Sequence, residues 1–273
     1  MNTKIKHKLI TSIVGIILLF CAMSALVPFV YMVLVSFTQK TTLSLSFSLD
    51  EFSLTNYTRI FNNFNIIRNM LNSTIVTVSA CFLNCIISSM AAFAFAKIKF
   101  PGRDKLFLVY LATLMIPGQV TLIPVFTMMK TLNLINTYIA LILPIINAFG
   151  VFLIKQFIEG IPDELIEAAR IDGCNTNRIF LNIILPLIKP ALVSLTIFTF
   201  ISCWNDFLWP LVIITKPEKQ TLTLAISALK GSYATNYGLV MAGSTLAFLP
   251  PFILYILLQK QFVEGIALSG VKG

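Results

Sequence analysis

Five stretches of this chain run for 24 residues or more without one charged side chain: Leu9–Phe37 (29 residues), Asn69–Ala96 (28), Leu106–Met129 (24), Thr131–Ile154 (24) and Gly231–Gln259 (29). A helix crosses the ~30 Å hydrocarbon layer in about 20 residues, so each stretch is long enough. A sixth, Pro190–Thr215, carries a single charge, Asp206. With no water in that layer, backbone N–H and C=O groups must pair within the protein, which leaves helices or closed barrels. The runs lack the every-second-residue alternation of a barrel strand. The sequence therefore predicts an all-α membrane protein with six transmembrane helices, near 9–37, 69–95, 106–129, 136–157, 190–214 and 237–259. With 57% hydrophobic and only 11% charged residues, little chain is left for a soluble domain, and a single domain over 1–273 is expected.

Orientation follows from the basic residues. With six spans both termini share a side, and that side holds Lys4, Lys6, Lys8, Lys97, Lys99, Arg103, Lys105, Lys155, Arg170, Arg178, Lys189, Lys260 and Lys272. The other side holds Lys40, Arg59, Arg68, Lys130, Lys216, Lys219 and Lys230. Cytoplasmic loops carry the excess of Lys and Arg, so both termini are expected in the cytoplasm. Topology thus accounts for the net charge of +9 without nucleic acid, for which no aromatic-interleaved basic patch exists. The N-terminal apolar run is about twice a signal peptide's core, which favours an uncleaved first span.

Several chemistries are excluded. The one histidine, His7, lies in the N-terminal tail, so Ser-His-Asp and Cys-His catalysis and His-based metal sites are out. No G-x-x-x-x-G-K-[ST] occurs, so the chain has no phosphate loop of its own for ATP. Only Asp206 places a carboxylate inside a span, too few for an intramembrane dyad. The five cysteines are scattered, which argues against a disulfide framework. No cofactor, no metal and no enzymatic activity are expected.

The spans themselves suggest a pathway. Pro28, Pro117, Pro124, Pro144, Pro210, Pro250 and Pro251 fall within the apolar runs, and each removes a backbone hydrogen bond. Together they favour bent helices around a conduit. Asp206, in "CWNDFLWPLV", costs about 2.5–3.5 kcal/mol at membrane depth and should face a cavity or a partner. Its readings are a structural role, capping or pairing near the outer end of span five, and direct substrate contact. Asn205, Trp204, Gln119 and Asn147 are further pathway candidates, although two tryptophans near a span end read first as an interfacial anchor.

Five of the eleven acidic residues crowd between Glu159 and Asp172, in a connector that this topology places in the cytoplasm between spans four and five. Pro162 suits the first turn of a helix, with Asp163 and Glu164 at its positive end. Glu167 can pair with Arg170 one turn on. Ala168 and Ala169 flatten one side for close approach by another surface. Gly173 can end the helix in the left-handed conformation, and Asn175 can cap a second helix. A helix-turn-helix over 159–189, lying along the membrane, is expected, with a solvated connector as the other reading.

"EAARIDGCNTNRIFLNIILP" resembles the EAA---G---------I-LP signature of permease subunits of bacterial ATP-binding-cassette importers, with Glu167, Ala168, Ala169, Gly173, Ile183, Leu185 and Pro186 on the signature positions and no insertion. "RNMLNST", "PGQVTLIPVF", "LNLINTY", "WNDFLWPL" and "QKQFVEGIALSGVKG" resemble the carbohydrate-importing branch, which includes the smaller maltose-transporter permease. Met70 departs from the pattern, which runs closer to "RNS". The resemblance implies that residues 162–178 are coupling helices seated in a cleft of a separate ATP-binding subunit dimer. Glu167 and Asp172 would make charge-assisted contacts there and Gly173 would set the turn. The tail Gly265–Gly273 can also reach that interface. A second, homologous permease subunit and an extracytoplasmic solute-binding protein docking on loops 38–68 and 215–236 complete the implied assembly, in the bacterial plasma membrane. The implied substrate is a sugar or oligosaccharide. Glycerol phosphate or a polyol derivative, and a stand-alone ion-coupled transporter using Asp206, are the rivals.

Overall fold

The computed structural model describes residues 3–39, 49–229 and 236–270, with no side-chain description for 3–6, 8, 9, 49 and 260–270. Lys40, Lys230, Lys272 and the last three residues of the tail lie outside the described residues, as do the side chains of Lys4, Lys6, Lys8 and Lys260 and parts of both outer loops. Among the described residues every regular element is a helix.

Fourteen α-helices follow in order: α1 (Thr3–Ser36), α2 (Thr55–Asn63), α3 (Ile66–Lys97), α4 (Arg103–Ala112), α5 (Gly118–Thr131), α6 (Tyr138–Ile142), α7 (Ala148–Glu159), α8 (Asp163–Ile171), α9 (Thr176–Ile179), α10 (Leu185–Leu187), α11 (Lys189–Trp204), α12 (Leu208–Ile213), α13 (Leu222–Ser227) and α14 (Tyr237–Gly270). Ile10–Ser36, Ile66–Lys97 and Tyr237–Gln259 are each long and apolar enough to cross a membrane alone. Among the described residues three bent pairs also pass by length and composition, which makes up to six crossings when each pair is taken as one span.

Three of the crossings are bent, as the prolines in the apolar runs lead one to expect. The third span turns by 103° between Arg103–Met115 and Gly118–Thr131. Pro117 has no N–H and forces Ile116 into extended backbone (φ −87°, ψ 115°), so the helix cannot run through. The fourth bends by 46° between Tyr138–Ile145 and Ala148–Glu159, just past Pro144. The expected fifth span, 190–214, stops at Trp204 and restarts at Leu208. Proline alone does not decide this: α1 continues through Pro28, α5 through Pro124, and α14 through Pro250 and Pro251.

The chain packs as two compact units, Met1–Asn65 with Ile226–Phe248, and Ile66–Ala225 with Leu249–Gly273. In the first, the Asn56 side chain is fully buried and donates to the carbonyls of Ser36 (2.9 Å) and Thr38 (2.7 Å), satisfying acceptors left open where α1 ends. Gly238 sits against the same Thr38 carbonyl, where any Cβ would overlap it. The Phe29 and Phe248 rings pack 4.9 Å apart at a tilt of 35°.

The second unit is organised around α3. Asn84 on α3 donates to Thr199 on α11 (2.9 Å) and accepts from Ser88 (2.9 Å), while Thr77 donates to Cys203 (3.4 Å). At the same Asn84–Ser88 pair α7 approaches so closely that a Cβ on Gly150 would lie 3.0 Å from Asn84 Oδ1 and overlap Ser88 Oγ. Small residues and interhelical hydrogen bonds are the usual adhesive where lipid offers no hydrophobic contrast. An apolar cluster of Ala92 and Phe93 (α3), Val151, Ile154 and Ile158 (α7) and Ala191 and Leu195 (α11) continues this core.

Candidate functional site

The acidic connector folds as an elbow docked on that core. Pro162 precedes α8 and does not enter its first turn; Asp163 is the first helical residue. Ile166 and Ala169, one turn apart, face inward onto Ile158, Ile179 and Ile184. Ala169 is therefore part of the core, which corrects the expectation that both alanines form an open flat face. The exposed side carries Leu165, Ala168 and Ile171, the last 86% exposed, with Glu167, Arg170 and Asp172 around them. Glu167 and Arg170, both exposed, form no ion pair among the described residues.

Gly173 then reverses the chain at φ +79°, a conformation that only glycine adopts without cost. Its amide donates to the Arg170 carbonyl (3.0 Å) and that of Cys174 to Ala169 (2.9 Å), which satisfies the last carbonyls of α8. Asn175 Oδ1 accepts from the Arg178 amide at 2.9 Å and starts α9. The second helix is not regular: Phe180–Ile184 widens into a π turn ahead of Pro186, whose missing N–H leaves the upstream register free to shift. Thr176–Leu187 then meets Lys189–Trp204 at 74°.

Lys97, by sequence one of the basic residues of the cytoplasmic side, holds the elbow at its entry. Its Nζ donates to the Ile161 carbonyl (2.6 Å) and to Asp163 Oδ1 (2.5 Å), and its side chain is only 7% exposed. The hydrogen bond and charge of Lys97 hold the Asp163 carboxyl below the usual carboxylate range. A lysine ending a span in "AFAFAK" was the available signal.

A second site lies away from the elbow. A cavity of about 320 Å³ is lined by Gly118, Gln119, Thr121, Leu122, Val125, Pro144, Asp206, Leu208 and Trp209. It opens because the helix breaks at Pro117, Pro144 and Asn205–Phe207 splay three chain segments apart. Asp206 Oδ1 accepts from the Trp209 amide (3.3 Å), and the Phe207 and Leu208 amides also converge on this carboxylate, which caps the start of α12. Gln119 and Asp206 thus meet in one cavity. Asn147 does not join them; it caps α7 by accepting from the Phe149 amide (3.0 Å). Asn205 is exposed beside the break, and Trp204 is buried and stacked on Phe200 at 5.5 Å. Trp209 is buried too, donating Nε1–H to the Ala140 carbonyl (2.8 Å). The tryptophans are internal struts, not an interfacial belt.

Comparison with known proteins agrees with this architecture. The family of binding-protein-dependent transport system inner membrane components matches residues 84–267. The chain belongs to that family. It is 38% identical over 261 residues to the arabinooligosaccharides transport system permease protein AraQ of Halalkalibacterium halodurans, covering 93% of this chain and 94% of the relative. It is 39% identical over 203 residues to the sn-glycerol-3-phosphate transport system permease protein UgpE of Salmonella typhi, covering 72% and 71%. The fold matches the crystal structure of a bacterial ABC transporter involved in the import of the acidic polysaccharide alginate, with a TM-score of 0.83 at 23% identity over 94% of this chain and 98% of that one. The resemblance drawn from the EAA stretch therefore holds: this is a multi-pass permease component of the inner membrane, and not an enzyme.

Proposed function

We propose that the chain forms half of the translocation pathway of an ATP-binding-cassette importer for a sugar or oligosaccharide, with both termini in the cytoplasm. A dimer of separate ATP-binding subunits would grip the elbow, a second homologous permease would supply the other half of the conduit, and an extracytoplasmic solute-binding protein would deliver substrate. The observation that carries this is the α8–Gly173–α9 elbow: apolar and exposed at Leu165, Ala168 and Ile171, yet rigidly docked through Ile166 and Ala169. A surface that is greasy on its free side and fixed on the other suits a protein partner better than water. Closure of the ATPase dimer would push the elbow and swing the bundle between inward- and outward-facing states.

The cavity at Asp206 favours a neutral hydroxylated solute. Among the described residues lining it, Asp206 is the sole charge; Gln119 and Thr121 add a carboxamide and a hydroxyl, and no Lys or Arg is present to hold a phosphate. The similarity to UgpE keeps glycerol phosphate as the second reading. The deciding experiment introduces Ala168→Cys and Ile171→Cys singly and tests disulfide cross-linking to the ATPase subunit in intact membranes, alongside uptake in proteoliposomes. Cross-linking from the cytoplasmic face, with uptake that needs both ATP and the binding protein, is the expected result. Uptake by the purified chain alone would instead establish an ion-coupled transporter.

A further inference from the structure

Of the described crossings in the second unit, only α3 is unbroken. It runs 32 residues with no proline, about 48 Å at 1.5 Å per residue, while the three bent pairs around it turn by 46° to 103°. Both of its ends are tied to loops by buried polar groups. At one end Lys97 holds the Ile161 carbonyl and Asp163, the two points flanking the start of α8. At the other, Asn69 donates to the Gln220 carbonyl (3.0 Å), Asn72 to those of Glu218 (3.1 Å) and Gln220 (2.8 Å), and Ser73 accepts from the Leu222 amide (2.8 Å). Asn69, Asn72 and Ser73 are each 3% exposed or less, and Tyr138 locks Asn72 by donating to its Oδ1 (2.6 Å). A lysine with its ammonium taken out of water is fixed strongly only when its donors are met, and here two acceptors meet it from one short segment.

We propose that Lys97 is a positioning residue that transmits displacement of α8 into α3, and that α3 acts as a push-rod between the elbow and the 216–222 loop at its far end. The proposal rests on the elbow being the ATPase dock. Neighbouring helices can flex at their breaks, whereas a continuous helix tied at both ends must carry a shift of one end to the other. Because coupling between two sites is reciprocal, the same strut would carry a signal from the 216–222 loop back to the elbow.

The test uses the complete importer in proteoliposomes, with its partner permease, ATPase dimer and binding protein. Lys97→Met keeps the buried aliphatic stem and removes the donors. Its expected phenotype is normal assembly and basal ATP hydrolysis, with solute moved per ATP reduced about fivefold or more and stimulation of hydrolysis by loaded binding protein reduced in parallel; Lys97→Arg should restore both. A merely structural role would lower the assembled amount and leave both ratios unchanged per assembled complex, and that result overturns the strut. If Lys97→Met does not accumulate, Asp163→Asn reads the same two ratios from the 75%-exposed partner side chain, with a smaller drop expected and no drop overturning the proposal. Cross-linking through Ala168→Cys in the otherwise unaltered importer separates the two layers: its absence removes the dock itself, while its presence with an unaltered Lys97→Met coupling ratio removes only the strut.

Discussion

The elbow and the Asp206 cavity are built in opposite ways. The elbow is one contiguous segment whose turn is set by a single glycine at φ +79° and whose second helix is started by a single asparagine. The cavity is assembled from residues 118–125, 144 and 206–209, which meet only because three helices break. A device that must be pushed as a unit gains from a locally coded turn, since the reversal then depends on neighbouring backbone atoms alone. A chamber that must enclose a solute needs walls from several elements.

That contrast can be broken experimentally. The largest effect is expected for Gly173→Val, which puts a β-branched side chain at a left-handed residue. Strain there is about 1–2 kcal/mol for an L-residue, enough for a roughly tenfold loss of transport per assembled complex. Membrane insertion should survive, so wild-type transport by this variant would remove the elbow's role. Next comes Asp206→Asn, which keeps a competent cap for α12 but deletes the charge. Loss of a hydrogen bond to a charged group, worth about 1.5–3 kcal/mol, should raise the KM for a neutral sugar about tenfold while hydrolysis stays coupled. An unchanged KM would detach the cavity from the pathway.

A smaller effect is expected outside both regions. Asn136, at φ 62°, accepts from the amides of Thr215 (2.7 Å) and Lys216 (2.9 Å), pinning the turn before α6 to the chain after α12. Asn136→Ala should lower the Tm by about 2–4 °C, read by thermal unfolding in detergent, with the elbow's cross-linking intact. The smallest effect concerns pH. Asp163 is held below its ordinary range by Lys97, so the folded state binds its proton less readily than the unfolded one. Stability from this contact is present above the ordinary carboxylate range and is lost as pH falls through the depressed value, below about pH 4. Asp163→Asn should flatten that acid limb slightly in a pH series of melting curves.

The division between legible and hidden runs through particular residues. Gly173 and Asn175 were readable because their conformations depend on a few neighbouring backbone atoms. Ala169 was not: its difference from Ala168 becomes visible only when α8 lies against Ile158 and Ile179. Trp204 and Trp209 looked like interfacial anchors because position in a span says nothing about which side faces lipid. Pro117 and Pro124 carry the same chemistry seven residues apart, yet one breaks the helix by 103° and the other is absorbed within α5.

Read from the residues alone, this chain is helical and membrane-embedded, with room for six crossings and a glycine-turned acidic elbow between the fourth and fifth. Those follow from the energetics of apolar runs and of local backbone geometry, which need no distant partner. Packing of distant segments is what buries Lys97 on the elbow, lets Asn69 and Asn72 clamp a loop nearly 150 residues away, and gives Gln119 and Asp206 one shared wall. These are contacts between segments remote in the chain, and a long-range pairing leaves no periodicity or spacing in the sequence from which it can be read.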